Sequence, residues 1–164
     1  MQDKVYNVLF LCTQNSARSI MAEGLMNRLG GARFKAYSAG SHPAGTVNPL
    51  ALQTLAAMQI PTDGFRSKGW DEFARPDAPV MDFVFTVCDN AAGEVCPVWP
   101  GQPMTAHWGV ADPAQVNGSD AQKTKAFWDA AVVLKRRIEL LLALPLASIG
   151  RLAIQREIKD IGQR

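Results

Sequence analysis

A cysteine closes the first apolar run of the chain, Val8-Leu9-Phe10-Leu11-Cys12, and a polar loop, Thr13-Gln14-Asn15-Ser16-Ala17, leads from it to Arg18-Ser19. Ile20-Met21-Ala22-Glu23-Gly24-Leu25-Met26 then opens an amphipathic pattern, so the local order is strand, loop, helix. A loop between a strand end and a helix N-terminus turns several backbone N–H groups towards one spot, and the helix dipole adds partial positive charge there. Oxyanions bind at such places. The Cys12 thiol sits at the rim of this field, which predicts a lowered pKa and a nucleophilic thiolate. Arg18 supplies a charged fork for two oxygens of a tetrahedral anion, and Ser19 a hydroxyl to the thiolate as well as a helix cap. The loop lacks glycine, which makes Asn15 the residue best suited to a left-handed conformation. A lone buried cysteine with a solvated arginine is the plainer reading. Strand, polar loop and helix in the order the chemistry needs weigh against it.

Two more apolar runs end in groups able to do chemistry. Asp82-Phe83-Val84-Phe85-Thr86-Val87-Cys88 places a second thiol at a strand end. In a parallel sheet that end lies on the same edge as Cys12. The loop over 89–101 carries Cys96, and a loop of this length in a compact domain is usually functional or mobile. Taken singly, Cys88 could be strand-end packing and Cys96 an incidental thiol. Beside a nucleophilic cysteine, the pair points to a redox relay. Met104 to Val110 reads as the last strand and delivers Asp112, which could protonate a leaving oxygen or cap a helix with Pro113 at its first position. His42, in the loop after Gly40, has no thiol or carboxylate beside it and reads as structural.

The positioning elements follow from periodicity. Gly30-Gly31 stops the first helix, and Arg33 to Ala39 alternates as a strand, giving a βαβ unit. Asn48-Pro49 caps a helix to about Met58, and Phe65 to Ala74 is an irregular piece carrying Trp70 and Phe73 inward. Asp120 to Leu144 is a long amphipathic helix with Ala126, Phe127, Ala130, Val133, Leu134, Ile138 and Leu141 at core spacing. Lys135, Arg136 and Arg137 read as its solvated face. A final helix, about Leu146 to Ile161, packs through Leu152, Ile154, Ile158 and Ile161.

The chain of 164 residues suits one domain over 1–164, and a net charge of +2 demands no nucleic-acid partner. No apolar leader precedes the first strand, and the apolar run from Leu140 to Gly150 is too short for a bilayer and contains Pro145, so a cytoplasmic protein is expected. Three cysteines do not make a stapled framework, and His42 and His107 have no zinc-site spacing to them, so no metal is expected.

The signature Cys12-x-x-Asn15-x-x-Arg18-Ser19 between a strand and a helix resembles the phosphate loop of the low-molecular-weight protein tyrosine phosphatase family. Ser38-Ala39-Gly40, Asn48-Pro49, Val87-Cys88, Cys96-Pro97, His107-Trp108-Gly109 and Asp112-Pro113 resemble its arsenate reductase branch. The resemblance implies an α/β three-layer sandwich around a four-stranded parallel sheet, the phosphotyrosine protein phosphatase I fold. It also implies reduction of arsenate to arsenite in arsenic detoxification. The implied roles are Cys12 as nucleophile, Arg18 as oxyanion clamp with Thr13, Gln14, Asn15, Ser16, Ala17 and Ser19 around the anion, Asp112 as general acid, and Cys88 and Cys96 as successive resolving thiols. It implies no tightly bound cofactor, a monomer, and an external reductant, either thioredoxin or glutathione with glutaredoxin.

The alternative is a tyrosine phosphatase or small phosphomonoesterase working through a phosphocysteine, since phosphate and arsenate share shape and charge. Ala114-Gln115-Val116 after Asp112-Pro113 offers no ring to stack on a phosphotyrosine, and two further thiols are of no use to a hydrolase. A catalytically silent oxyanion-binding module is a third possibility.

Overall fold

The computed structural model describes residues 4–88 and 99–164. Cys96 and most of the loop that carries it lie outside the described residues, and so does the expectation attached to that thiol.

Four parallel strands form one sheet: β1 (Tyr6–Cys12), β2 (Phe34–Gly40), β3 (Phe83–Thr86) and β4 (Met104–His107), in the spatial order β2-β1-β3-β4. The helices are α1 (Arg18–Gly30), α2 (Pro49–Ala57), α3 (Asp120–Leu142) and α4 (Arg151–Ile161). The α/β class with a four-stranded parallel sheet is as expected.

β1 is apolar and buried from Val8 to Cys12 because both of its faces are covered there, the usual condition of a central parallel strand. Val8, Phe10 and Cys12 face the larger core, which collects residues from all four helices. Leu9 and Leu11 face a smaller one with Ala39, Phe73, Met81 and Val84, roofed by Trp70 and Trp99. Trp70 and Phe73 sit in a 3₁₀ turn (Trp70–Phe73), and Phe73 is buried as expected. Trp108 anchors the larger core. It is fully buried, stacks on Phe85 with ring centroids 3.8 Å apart, and donates its indole N–H to the Ile158 carbonyl at 2.8 Å. That bond fastens α4 beneath the strand edge that leads to Asp112.

Three helix readings are corrected. α4 begins at Arg151, after a turn in which Ser148 N–H donates to the Pro145 carbonyl. Its buried stripe is Ile154, Ile158 and Ile161, and Leu152, two residues before Ile154, is 81 % exposed. On α3, Val133 lies at the margin of the stripe and is 36 % exposed. Arg137 lies on the stripe itself, three residues after Leu134, and is buried; the cationic run in which it stands had suggested a solvated face.

Candidate active site

Parallel register brings the chemistry to one edge. Cys12 pairs with Gly40 across β1 and β2, and Leu11 with Thr86 across β1 and β3. Beyond the paired residues Val87 N–H donates to the Leu11 carbonyl at 2.9 Å, and Val110 N–H to the Val87 carbonyl at 3.0 Å. Cys12, Cys88 and the segment leading to Asp112 therefore leave the sheet side by side.

The loop from Cys12 to Arg18 is held from outside by its carbonyls. His42 N–H donates to Thr13 O at 2.8 Å, Ala44 N–H to Gln14 O at 3.0 Å and Asn48 N–H to Ser16 O at 2.8 Å, and Ser67 Oγ adds a bond to Gln14 O at 3.0 Å. A trans peptide sets each following N–H opposite its carbonyl. The N–H groups of Gln14, Asn15 and Ala17 thus turn away from these buttresses. Asn15 takes φ 48°, the left-handed conformation expected of it. Its side chain is fully buried, accepting from Lys68 N–H at 2.9 Å and donating to Ser19 Oγ at 2.8 Å. Ser19 is not the helix cap: α1 starts at Arg18, Ala17 occupies the cap position, and no side chain caps the helix. The first-turn donors of α1 are left to whatever anion enters.

Gly40 is required by this packing. A Cβ there would stand 2.5 Å from the Thr13 carbonyl oxygen, 2.7 Å from that of Cys12 and 2.9 Å from Asn15 N. Behind the loop, Glu23 accepts from Ser38 Oγ at 2.6 Å and lies 3.7 Å from the Lys68 ammonium, whose side chain is only 9 % exposed. Burial pushes the Lys68 ammonium down and Glu23 draws it back.

The cleft in front of the loop has a volume of about 160 Å³, and Cys12, Thr13, Gln14, Ser16, Ala17, Arg18 and Asp112 line it with Ala114 and Gln115. Arg18 Nη1 donates to the Val110 carbonyl at 2.9 Å, and Nη2 lies 3.4 Å from Asp112 Oδ2. Asp112 Oδ1 accepts from Ala114 N–H at 3.0 Å, capping a 3₁₀ turn that Pro113 begins. One carboxylate oxygen is thus a cap, and the other faces the clamp.

The sulfur pair behaves differently from the expectation of an isolated thiol beside an arginine. Cys12 and Cys88 are both buried, reduced and in hydrogen-bond contact. Thr13 N–H, the first amide of the loop, donates to Cys88 Sγ at 3.2 Å, and Thr13 Oγ1 lies 3.6 Å from the same sulfur. The contact with Cys88 is the largest influence on Cys12 and pushes its thiol up, as does burial; Arg18 pulls the other way and is outweighed. A lowered Cys12 pKa in the resting pair is therefore not what the structure gives. The first cause is the hydrogen-bonding contact with the second sulfur, and burial adds to it.

Sequence reasoning did not find the buttresses at His42, Ala44, Asn48 and Ser67. Three of the four act through backbone N–H groups, which leave no side-chain signature.

A cysteine, a five-residue loop and an arginine between a parallel strand and a helix describe a recognised class of oxyanion-handling sites. The model of the low molecular weight phosphotyrosine protein phosphatase family matches residues 7–152, and the chain belongs to that family. Among its relatives is the arsenate reductase of Halalkalibacterium halodurans, 36 % identical over 132 residues that cover 80 % of this chain and 91 % of that protein. The arsenate reductase of Bacillus subtilis is 36 % identical over 127 residues, covering 77 % and 86 %. The solved structure of an arsenate reductase in its phosphate-binding state superposes with a TM-score of 0.66 at 28 % identity, over 85 % of this chain and 98 % of that one.

Proposed function

We propose that the protein reduces arsenate to arsenite with its own thiols. The observation that carries this reading is the hydrogen-bonded pair of buried sulfurs, Cys12 and Cys88, at the mouth of an oxyanion loop. A phosphatase needs only the first sulfur, and Ala114 and Gln115 give the cleft no ring for a phosphotyrosine. The arsenate reductases among the relatives support the choice of substrate.

In this mechanism the loop N–H groups and Arg18 hold arsenate against Cys12. Cys12 attacks arsenic, and the displaced hydroxide leaves as water with a proton from Asp112. Cys88 then attacks the Cys12 sulfur; the sulfur–arsenic bond breaks and its electron pair stays on arsenic, which leaves as arsenite. Two thiols and one arsenate give one disulfide, one arsenite and one water. Cys96 attacks Cys88 in turn, freeing Cys12 and moving the disulfide to itself and Cys88. An external cytoplasmic thiol system, thioredoxin or glutathione with glutaredoxin, reduces that bond and takes up its oxidation as a disulfide of its own. No resident cofactor takes part, and one copy of the chain suffices.

The test is arsenate-dependent oxidation of the fully reduced protein, with free thiols counted and disulfides mapped. Two thiols disappear per arsenate, with the bond between Cys88 and Cys96 in the wild type and between Cys12 and Cys88 in Cys96→Ser. Hydrolysis of an aryl phosphate through Cys12 with no arsenate-dependent loss of thiols would put the phosphatase in its place.

A further inference from the structure

Arg137, in the C-terminal part of α3, is 7 % exposed. Its Nη1 donates to the Gly109 carbonyl at 2.9 Å, and its Nε has no hydrogen-bond partner among the described residues. Among those residues no carboxylate forms an ion pair with it, and burial alone pushes its guanidinium down. An unpaired buried cation costs stability, so packing does not account for it. Its one hydrogen bond among the described residues is to the segment that carries Asp112.

That segment needs holding. Trp108 is locked in the core, and Pro113 fixes its own φ, but Gly109 between them has no Cβ to restrict its backbone. The next carbonyl, of Val110, accepts from Arg18, and Asp112 faces the same guanidinium at 3.4 Å. Two arginines therefore grip residues 109–112, Arg18 from the oxyanion loop and Arg137 from the core.

We propose that Arg137 is a positioning residue for the reaction: through the Gly109 carbonyl it fixes the 109–112 segment so that the Asp112 carboxyl stands opposite Arg18 and Cys12. The proposal rests on the arsenate reductase reading, in which Asp112 is the proton donor. A displacement of about 1 Å at such a group is enough to slow a reaction by up to about a hundredfold.

The test is a double-mutant cycle on the full chain. Wild type, Arg137→Met, Asp112→Asn and the double variant are pre-reduced, and the single-turnover rate of thiol loss is measured at saturating arsenate. Arg137→Met slows the wild type by about tenfold or more, but slows Asp112→Asn by less than about twofold, because its effect passes through the carboxyl. Arg137→Lys, which keeps one donor, recovers part of the rate. Should Arg137→Met fail to fold, Arg137→Lys carries the same cycle, with a partial loss confined to the Asp112 background. Equal slowing in both backgrounds, or no slowing at all, overturns the proposal. An unchanged rate in Asp112→Asn alone removes the proton-donor reading, and the proposal goes with it.

Discussion

Replacing Cys88 by alanine should make Cys12 more reactive, although it removes a residue from the candidate site. Cys88 is the largest of the influences that keep the Cys12 thiol protonated; burial acts in the same direction and Arg18 against both. A hydrogen bond between neutral groups is worth about 0.5–1.5 kcal/mol net. At about 1.4 kcal/mol per factor of ten, its loss raises the thiolate fraction at neutral pH by about 2- to 13-fold. Each thiolate is a weaker nucleophile as its pKa falls, with a Brønsted slope of about 0.5, so the gain in rate is about the square root, about 1.5- to 3.5-fold. Alkylation by iodoacetamide, resolved by peptide mass so that Cys96 is counted separately, reads this directly. Arg18→Met in the same background should slow the labelling again, since it removes the charge that favours the thiolate. Cys12 labelling that is unchanged or slower in Cys88→Ala would show that burial, and not the second sulfur, governs the nucleophile.

The same direction of shift has a consequence for stability. A thiol raised in the folded state contributes stability that is complete below the unfolded value, about pH 8.5, and is lost as pH climbs above it. Urea titrations of the reduced protein should show Cys12→Ala losing about 2 kcal/mol less than wild type between pH 8 and pH 10. Gly40→Ala puts a methyl group against the Thr13 and Cys12 carbonyls. It should cost about 1–3 kcal/mol and slow arsenate-dependent thiol loss, both measured on one preparation. Asn15→Ala loses two buried hydrogen bonds and the left-handed preference together, for about 2–4 kcal/mol. Asn15→Gly restores the conformation without the bonds, so its urea midpoint should lie between those of Asn15→Ala and wild type.

What the sequence made legible is what lies close along the chain. Thiol, loop and clamp fall between Cys12 and Ser19, and strand, loop and helix are each written in local pattern, so their arrangement follows from covalent connectivity. Asn15 was legible for the same reason: the loop must turn, and no glycine is there to do it. Cys88 was placed on the correct edge because parallel strands end together, but its effect on Cys12 was not. Helix dipole and Arg18 alone give a lowered thiol, and the sign reverses once a second sulfur is in contact. Arg137 shows the limit most clearly. In the run Lys135-Arg136-Arg137 all three residues carry the same charge, and only the helical phase separates them. Counted from Ala130 and Leu134, Arg137 falls three to four residues along the buried stripe, whereas Lys135 and Arg136 fall off it. Composition therefore argued for solvent where periodicity argued for the core. In such a conflict a buried charge needs a polar group to receive it. Here that group is the Gly109 carbonyl, 28 residues away in sequence and beside the site, a contact that no local pattern encodes.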